Sequence, residues 1–118
     1  MASGCPFCGR VERGECDVDF AWPLDVVSFE PLNPVTPGHR LFLPLRHIEH
    51  PHAPATGRCM VAAEWWAEKQ GEDFNLITSS GAHATQTVPH IHVHYVPRRE
   101  GDGLHLPWAN QKPGEQHG

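Results

Sequence analysis

The sequence predicts a small α+β domain. Three observations carry this reading: the apolar stretches are short and rich in Val, Phe and Ile, one segment alone has helical spacing, and twelve prolines with eleven glycines divide the chain into many turns. With 118 residues there is room for one modest core and not for two. Residues 1–108 are therefore expected to form one domain and the polar stretch 109–118 a flexible tail.

Composition removes several classes of function. No apolar run approaches the ~20 residues of a membrane span, and residues 1–4 lead into Cys5 without an apolar leader, so a cytoplasmic protein with no membrane partner is expected. Nine basic against fourteen acidic residues give a formal charge of -5, which is not the footprint of a nucleic-acid binder. In that compartment the four cysteines read as thiols or metal ligands rather than disulfides.

The elements follow in chain order. Cys5-Pro6-Phe7-Cys8 has metal-ligand spacing and is expected as a tight loop, a knuckle whose two sulfurs face one point. Zinc normally takes four ligands, so two more must come from elsewhere. Cys16 is unmatched, and Cys59 falls in a helical pattern as a small hydrophobe. Residues 17–22 and 25–29 read as short strands. Residues 31–38 hold three prolines and cannot pair as a central strand, so they form a stiff loop of the kind that lines sites.

Residues 39–44 are the next strand, with His39, Leu41 and Leu43 on one side. His47, His50 and His52 crowd the loop that follows, and spacing alone does not choose among them as metal ligands. Residues 58–69 form the convincing helix, with Cys59, Ala62, Ala63 and Trp66 on one stripe and Gly71 ending it. Trp65 lies off that stripe, as a rim residue or a dimer contact. Residues 74–79 are a strand. Residues 80–86 are a loop of small residues whose N–H groups, hydroxyls and amide suit a phosphate. Arg98 and Arg99 either steer an anionic ligand or form a solvated strand end.

The final strand, residues 87–96, organises the rest. In His90-Ile91-His92-Val93-His94-Tyr95 the strand period of two places the three imidazoles on one face and the apolar residues on the other. Such a face is a poor interior and a good reactive or metal-binding surface. Alternate residues on a strand are roughly 6.6 Å apart, which weighs against all three converging on one ion.

These residues resemble the signature of the histidine triad (HIT) superfamily, His-φ-His-φ-His-φ-φ with φ apolar, here His90 to Val96. The resemblance extends to the Cys-Pro-Phe-Cys opening, to the Asn33-Pro34-Val35-Thr36-Pro37-Gly38-His39 run, to Pro44-x-x-His47 and to Gly81-x-x-Ala84-Thr85-Gln86-Thr87-Val88-Pro89. It implies a HIT-like fold with a mainly antiparallel sheet of about five strands and one main helix, a homodimer, and action on nucleoside phosphates. Hydrolysis or nucleotidyl transfer through a covalent nucleotidyl-histidine is the implied chemistry, with nucleoside phosphoramidates or dinucleoside polyphosphates as substrates. By the same resemblance His92 is the nucleophile, His94 a donor to phosphate or leaving group, and His39 its support. Asn33, Ser79, Gln86 and Thr87 match substrate-binding positions. Cys5, Cys8, His47 and His90 match the ligands of a structural zinc. The chain departs from the family at Pro31, where many members carry an acid for the ribose, and at Ser79, often Asn. These departures favour the alternative, a non-catalytic nucleotide- or partner-binding module on a zinc-stabilised scaffold.

Overall fold

The computed structural model describes residues 4–108; the tail expected at 109–118 lies outside the described residues. Five strands, β1 (Val18–Phe20), β2 (Val26–Phe29), β3 (Arg40–Pro44), β4 (Phe74–Thr78) and β5 (Val93–Pro97), form one sheet in the order β1-β2-β3-β5-β4. Every neighbouring pair is antiparallel. Two α-helices, α1 (Pro6–Glu12) and α2 (Ala53–Gln70), complete the α+β architecture. No described helix is long and apolar enough to cross a membrane.

The pleat decides which side chains meet which helix. Phe42, Val93 and Tyr95 point to one face, where the small residues Cys59, Ala62, Ala63 and Ala67 let α2 pack closely against the sheet. There the Cys59 thiol is fully buried, which pushes its pKa up to about 12 and makes it a structural hydrophobe. Val27, Phe29, Leu41 and Leu43 point to the other face and are covered by Phe7 and Val11 of α1. Because α1 covers the β2–β3 side, the neighbouring face of β5 and β4 remains a cleft. His94, opposite Leu41 on one side and Ile77 on the other, projects into it.

Several boundaries differ from the sequence expectation, each for a local reason. The expected knuckle loop is the helix α1: Pro lies in its first turn, and the Cys5 sulfur accepts from the Cys8 N–H as an N-cap. Helix α2 starts before residue 58, because His52 caps it and Pro54 is tolerated in its first turn. The final strand is shorter than residues 87–96. It begins at Val93 and ends at Pro97, so His90 and His92 lie in the irregular segment leading into it. The proline loop is held against this strand end at Gly38, whose φ of +90° and approach of 2.9 Å from an added Cβ to Pro97 Cγ admit no side chain.

Candidate functional site

A four-residue corner fixes the His90 ring. Ligand atoms of Cys5, Cys8, His47 and His90 all lie within 4.8 Å of one another. The Cys8 sulfur is 3.2 Å from His47 Nδ1 and 3.6 Å from His90 Nδ1, and the Cys5 sulfur is 3.6 Å from His90 Nδ1. Two ligands at the usual Zn–S and Zn–N lengths, about 2.3 and 2.0–2.1 Å at a tetrahedral angle, stand about 3.6 Å apart. The spacing therefore fits a Cys2His2 zinc set.

The outer hydrogen bonds fit as well. His90 Nε2 faces the Pro44 carbonyl at 3.1 Å, and His47 Nε2 faces the Glu49 carboxylate at 3.0 Å. Both partners only accept, so each ring carries its proton on Nε2 and turns a bare Nδ1 to the thiols, as a metal ligand requires. His90 is fully buried, and burial lowers its pKa, which also favours the neutral ring. The two alternatives are placed elsewhere: the His50 side chain is 91 % exposed, and His52 accepts from Ala55 N–H as the cap of α2.

The next imidazole along the segment is held the opposite way round. His92 Nδ1 donates to the His90 carbonyl at 2.7 Å, so its proton is on Nδ1 and Nε2 keeps a free lone pair. The ring is 7 % exposed, and burial lowers its pKa. Its edge-to-face neighbours are Phe7 at 5.0 Å and His94 at 4.9 Å between ring centroids.

His94 and His39 form a fixed pair. The Val35 N–H donates to His39 Nδ1 at 3.1 Å, so His39 carries its proton on Nε2 and donates it to His94 Nδ1 at 2.9 Å. His94 in turn must carry its proton on Nε2. Burial lowers the pKa of His39, and burial followed by the neighbouring His92 and His39 lowers that of His94 to about 4, so both rings are neutral at pH 7.

His39, His92 and His94 stand where two cavities meet. One, of ≈ 380 Å³, lies beside α1 and is lined by Phe7, Arg10, Leu32, Asn33 and Thr87 among others. The other, of ≈ 270 Å³, lies over β4 and β5 and includes Asn75, Ile77, Ser79, Gln86, Leu104 and His105. The four expected substrate-binding positions are thus divided between the two, with Asn33 and Thr87 on one side and Ser79 and Gln86 on the other. The Gln86 amide is already engaged, accepting from Gly81 N–H and donating to the Val88 carbonyl. Within the loop expected to cradle a phosphate, residues 82–84 form a short 3-10 turn.

Arg98 and Arg99 are both tied into the scaffold, and Arg98 also lines the cavity over β4 and β5. Arg98 binds both Asp102 oxygens, Asn75 and the Leu104 carbonyl, and Asp102 is held far below the usual carboxylate range by that pairing. Arg99 donates to Thr36 Oγ1 and the Pro37 carbonyl, tying the proline loop to the end of β5. Sequence reasoning missed Phe7, the Val35 N–H and the wall at residues 104–106. Only Phe7 carried a signal, its place between the two cysteines.

Residues 22–101 match the family model described as the HIT domain. Adenylylsulfatase HINT3 of Arabidopsis thaliana is 30% identical over 94% of this chain, and the match spans 59% of that protein's length. An uncharacterized HIT-like protein of Methanocaldococcus jannaschii is 32% identical over 84% of this chain and 82% of its own. The purine nucleoside phosphoramidase of Escherichia coli is 29% identical over 76% of this chain and 84% of its own. Among solved structures, a Zn-bound histidine triad family protein from Mycobacterium smegmatis superposes with a TM-score of 0.71 at 27% identity, covering 87% of this chain and 81% of that one. The chain belongs to the HIT family.

Proposed function

We propose that this HIT-family protein is a nucleotide hydrolase or nucleotidyl transferase that works through a covalent nucleotidyl-His92, with nucleoside phosphoramidates or dinucleoside polyphosphates as its substrates. One observation carries the reading: the His90 carbonyl occupies Nδ1 of His92, leaving the Nε2 lone pair at the junction of two cavities. The low pKa of that ring keeps the lone pair available at neutral pH. The relatives named as an adenylylsulfatase and a purine nucleoside phosphoramidase support the substrate class.

In the first step His92 Nε2 bonds to the α-phosphorus while the bond to the leaving group breaks, the departing atom keeping the electron pair. His94 Nε2–H donates a hydrogen bond to that atom or to a phosphate oxygen. His39 keeps the donor on the correct nitrogen by occupying Nδ1. The phosphorylated ring is cationic, and the His90 carbonyl on its Nδ1–H offsets that charge. In the second step water, or another acceptor, bonds to phosphorus and Nε2 leaves. For hydrolysis the balance is one water consumed, its hydroxyl on phosphorus and its proton on the leaving group.

Asn33 and Thr87 would bind the ligand on the α1 side, and Ser79 and Gln86 on the β4 side. Cys5, Cys8, His47 and His90 would hold a structural zinc, which when bound supplies cross-linking of α1 to the segments that follow β3 and precede β5, and no open coordination position. The remaining parts of the proposal are a homodimer and a cytoplasmic setting. β4 is an edge strand, and its unpaired edge is what a second copy would cover. Light scattering at twice the chain mass supports the dimer, and a monomer at micromolar concentration rejects it.

The enzyme reading is tested with adenosine 5′-phosphoramidate. Rapid acid-free quenching and mass spectrometry should show an AMP-sized adduct on the peptide holding His92, absent in His92→Ala. Wild-type protein that binds AMP yet neither turns over nor forms the adduct would instead be the binding module on the same scaffold.

A further inference from the structure

Helix α1 has two working faces. Cys5 and Cys8 face the metal corner, while Pro6, Phe7 and Arg10 form a wall of the ≈ 380 Å³ cavity. Phe7, between the two cysteines, sets its ring at 89° to His92 with centroids 5.0 Å apart, and it also touches His90 at 5.9 Å and Phe29 at 5.6 Å. One aromatic ring thus spans the corner, the core and the reactive imidazole.

This wall depends on its anchors. Helix α1 has 7 residues, below the ~12–15 that an isolated helix needs in water. Beyond its packing on Phe29 and Leu41, it is held by the pairing of Cys5 and Cys8 with His47 and His90 and by Arg10, which donates to the Glu30 carbonyl and lies over the Phe29 ring. His90 provides a second path, since its side chain belongs to the corner while its own carbonyl orients His92.

We infer that the Cys2His2 corner and the ligand cavity are energetically coupled, with Phe7 as the positioning residue that joins them. Metal occupancy seats α1, and the seated helix closes the cavity wall and holds the His92 ring edge-on. Coupling of this kind is reciprocal: whatever factor zinc adds to ligand affinity, the ligand adds to zinc affinity. The inference rests on the proposed nucleotide reading for its choice of probe.

The test titrates AMP into zinc-loaded and chelator-stripped protein for the wild type, Phe7→Ala and Phe7→Tyr. Zinc affinity is measured against a competing chelator with and without AMP. Stripping should weaken AMP binding about tenfold in the wild type, with the same factor in the zinc measurement, and the factor should fall below about threefold in Phe7→Ala. Phe7→Ala should still bind one zinc, and Phe7→Tyr, which keeps the ring, should restore the coupling. Equal AMP affinity with and without zinc, or full zinc dependence retained in Phe7→Ala, overturns the inference.

A second readout needs no ligand. In protein labelled with 15N-histidine, removing zinc should shift the His92 ring resonances in the wild type and in Phe7→Tyr, and shift them much less in Phe7→Ala; exchange of cadmium for zinc supplies the comparison where stripping unfolds the chain. If the wild type binds no AMP, the nucleotide reading fails and this metal dependence decides the coupling. His92 resonances indifferent to the metal in the wild type, or equally sensitive to it in Phe7→Ala, overturn it.

Discussion

The cysteine corner and the cleft each take an imidazole from one short segment, His90 for the corner and His92 for the cleft, and the two rings differ in which nitrogen the surroundings occupy. At His90 and His47 an acceptor takes Nε2–H and the bare Nδ1 faces two sulfurs. At His92 a carbonyl takes Nδ1–H and the bare Nε2 faces the cavities. Two residues further, His94 is reversed again by His39. The tautomer alternates along the segment, so neighbouring imidazoles of one residue type turn different nitrogens to their surroundings.

The largest expected effect tests that separation directly. His92→Ala should lower turnover of a nucleoside phosphoramidate by on the order of 10⁴-fold while AMP affinity changes only a few-fold, as for loss of a group acting in the transition state. Steady-state rates beside equilibrium titration check it, and parallel loss of both would assign His92 to binding.

The corner should answer in stability instead. Cys8→Ala is expected to abolish stoichiometric zinc and lower Tm by about 10 °C, equivalent to a few kcal/mol for a domain of this size. Cys16→Ser, at a half-buried site away from the corner, should retain the metal. Metal analysis and scanning calorimetry of the two variants make the comparison, and equal zinc content in both would break it.

A smaller effect is expected at His39. His39→Ala leaves His94 Nδ1 without its donor, so the ring can move its proton to the wrong nitrogen. Turnover should fall about tenfold, less than the roughly 10²–10⁴-fold of a direct acid–base group, because His39 acts only through His94. The 15N shifts of His94 should then show a mixture of tautomers, and an unchanged single tautomer would remove His39 from its positioning role.

The smallest effect concerns pH. His94 titrates at about 4 when folded against 6.5 when free, so between those values the unfolded chain binds more protons. Its contribution to stability is present above pH 6.5 and is lost as pH falls towards 4. Denaturation midpoints followed across that window should decline with acid, and His94→Gln should flatten the decline.

Much of this was legible in the chain because it depends on local pattern. The Ala-rich stripe of α2 predicted which helix face is buried, and Cys5-x-x-Cys8 predicted two sulfurs facing one point; the alternating His-apolar run predicted a strand face of three imidazoles, of which the strand keeps His94. Where elements begin was less legible, since caps compete with propensity: Cys5 and His52 turned a loop and a proline-bearing stretch into first helical turns.

By itself the sequence determined the residue types and their order: an α+β chain with five apolar stretches that pair as strands, thiols at one end and imidazoles near the other. The resemblance at Pro44-x-x-His47 already pointed to His47, which the spacing of the histidines left open against His50 and His52; only the tertiary structure decided that Phe7 rests on His92 and that Arg98 and Arg99 are tied into the scaffold. The reason is physical. A side chain's type sets what it can donate or accept, but which nitrogen or charge stays free depends on carbonyls, carboxylates and rings brought near it by distant parts of the chain.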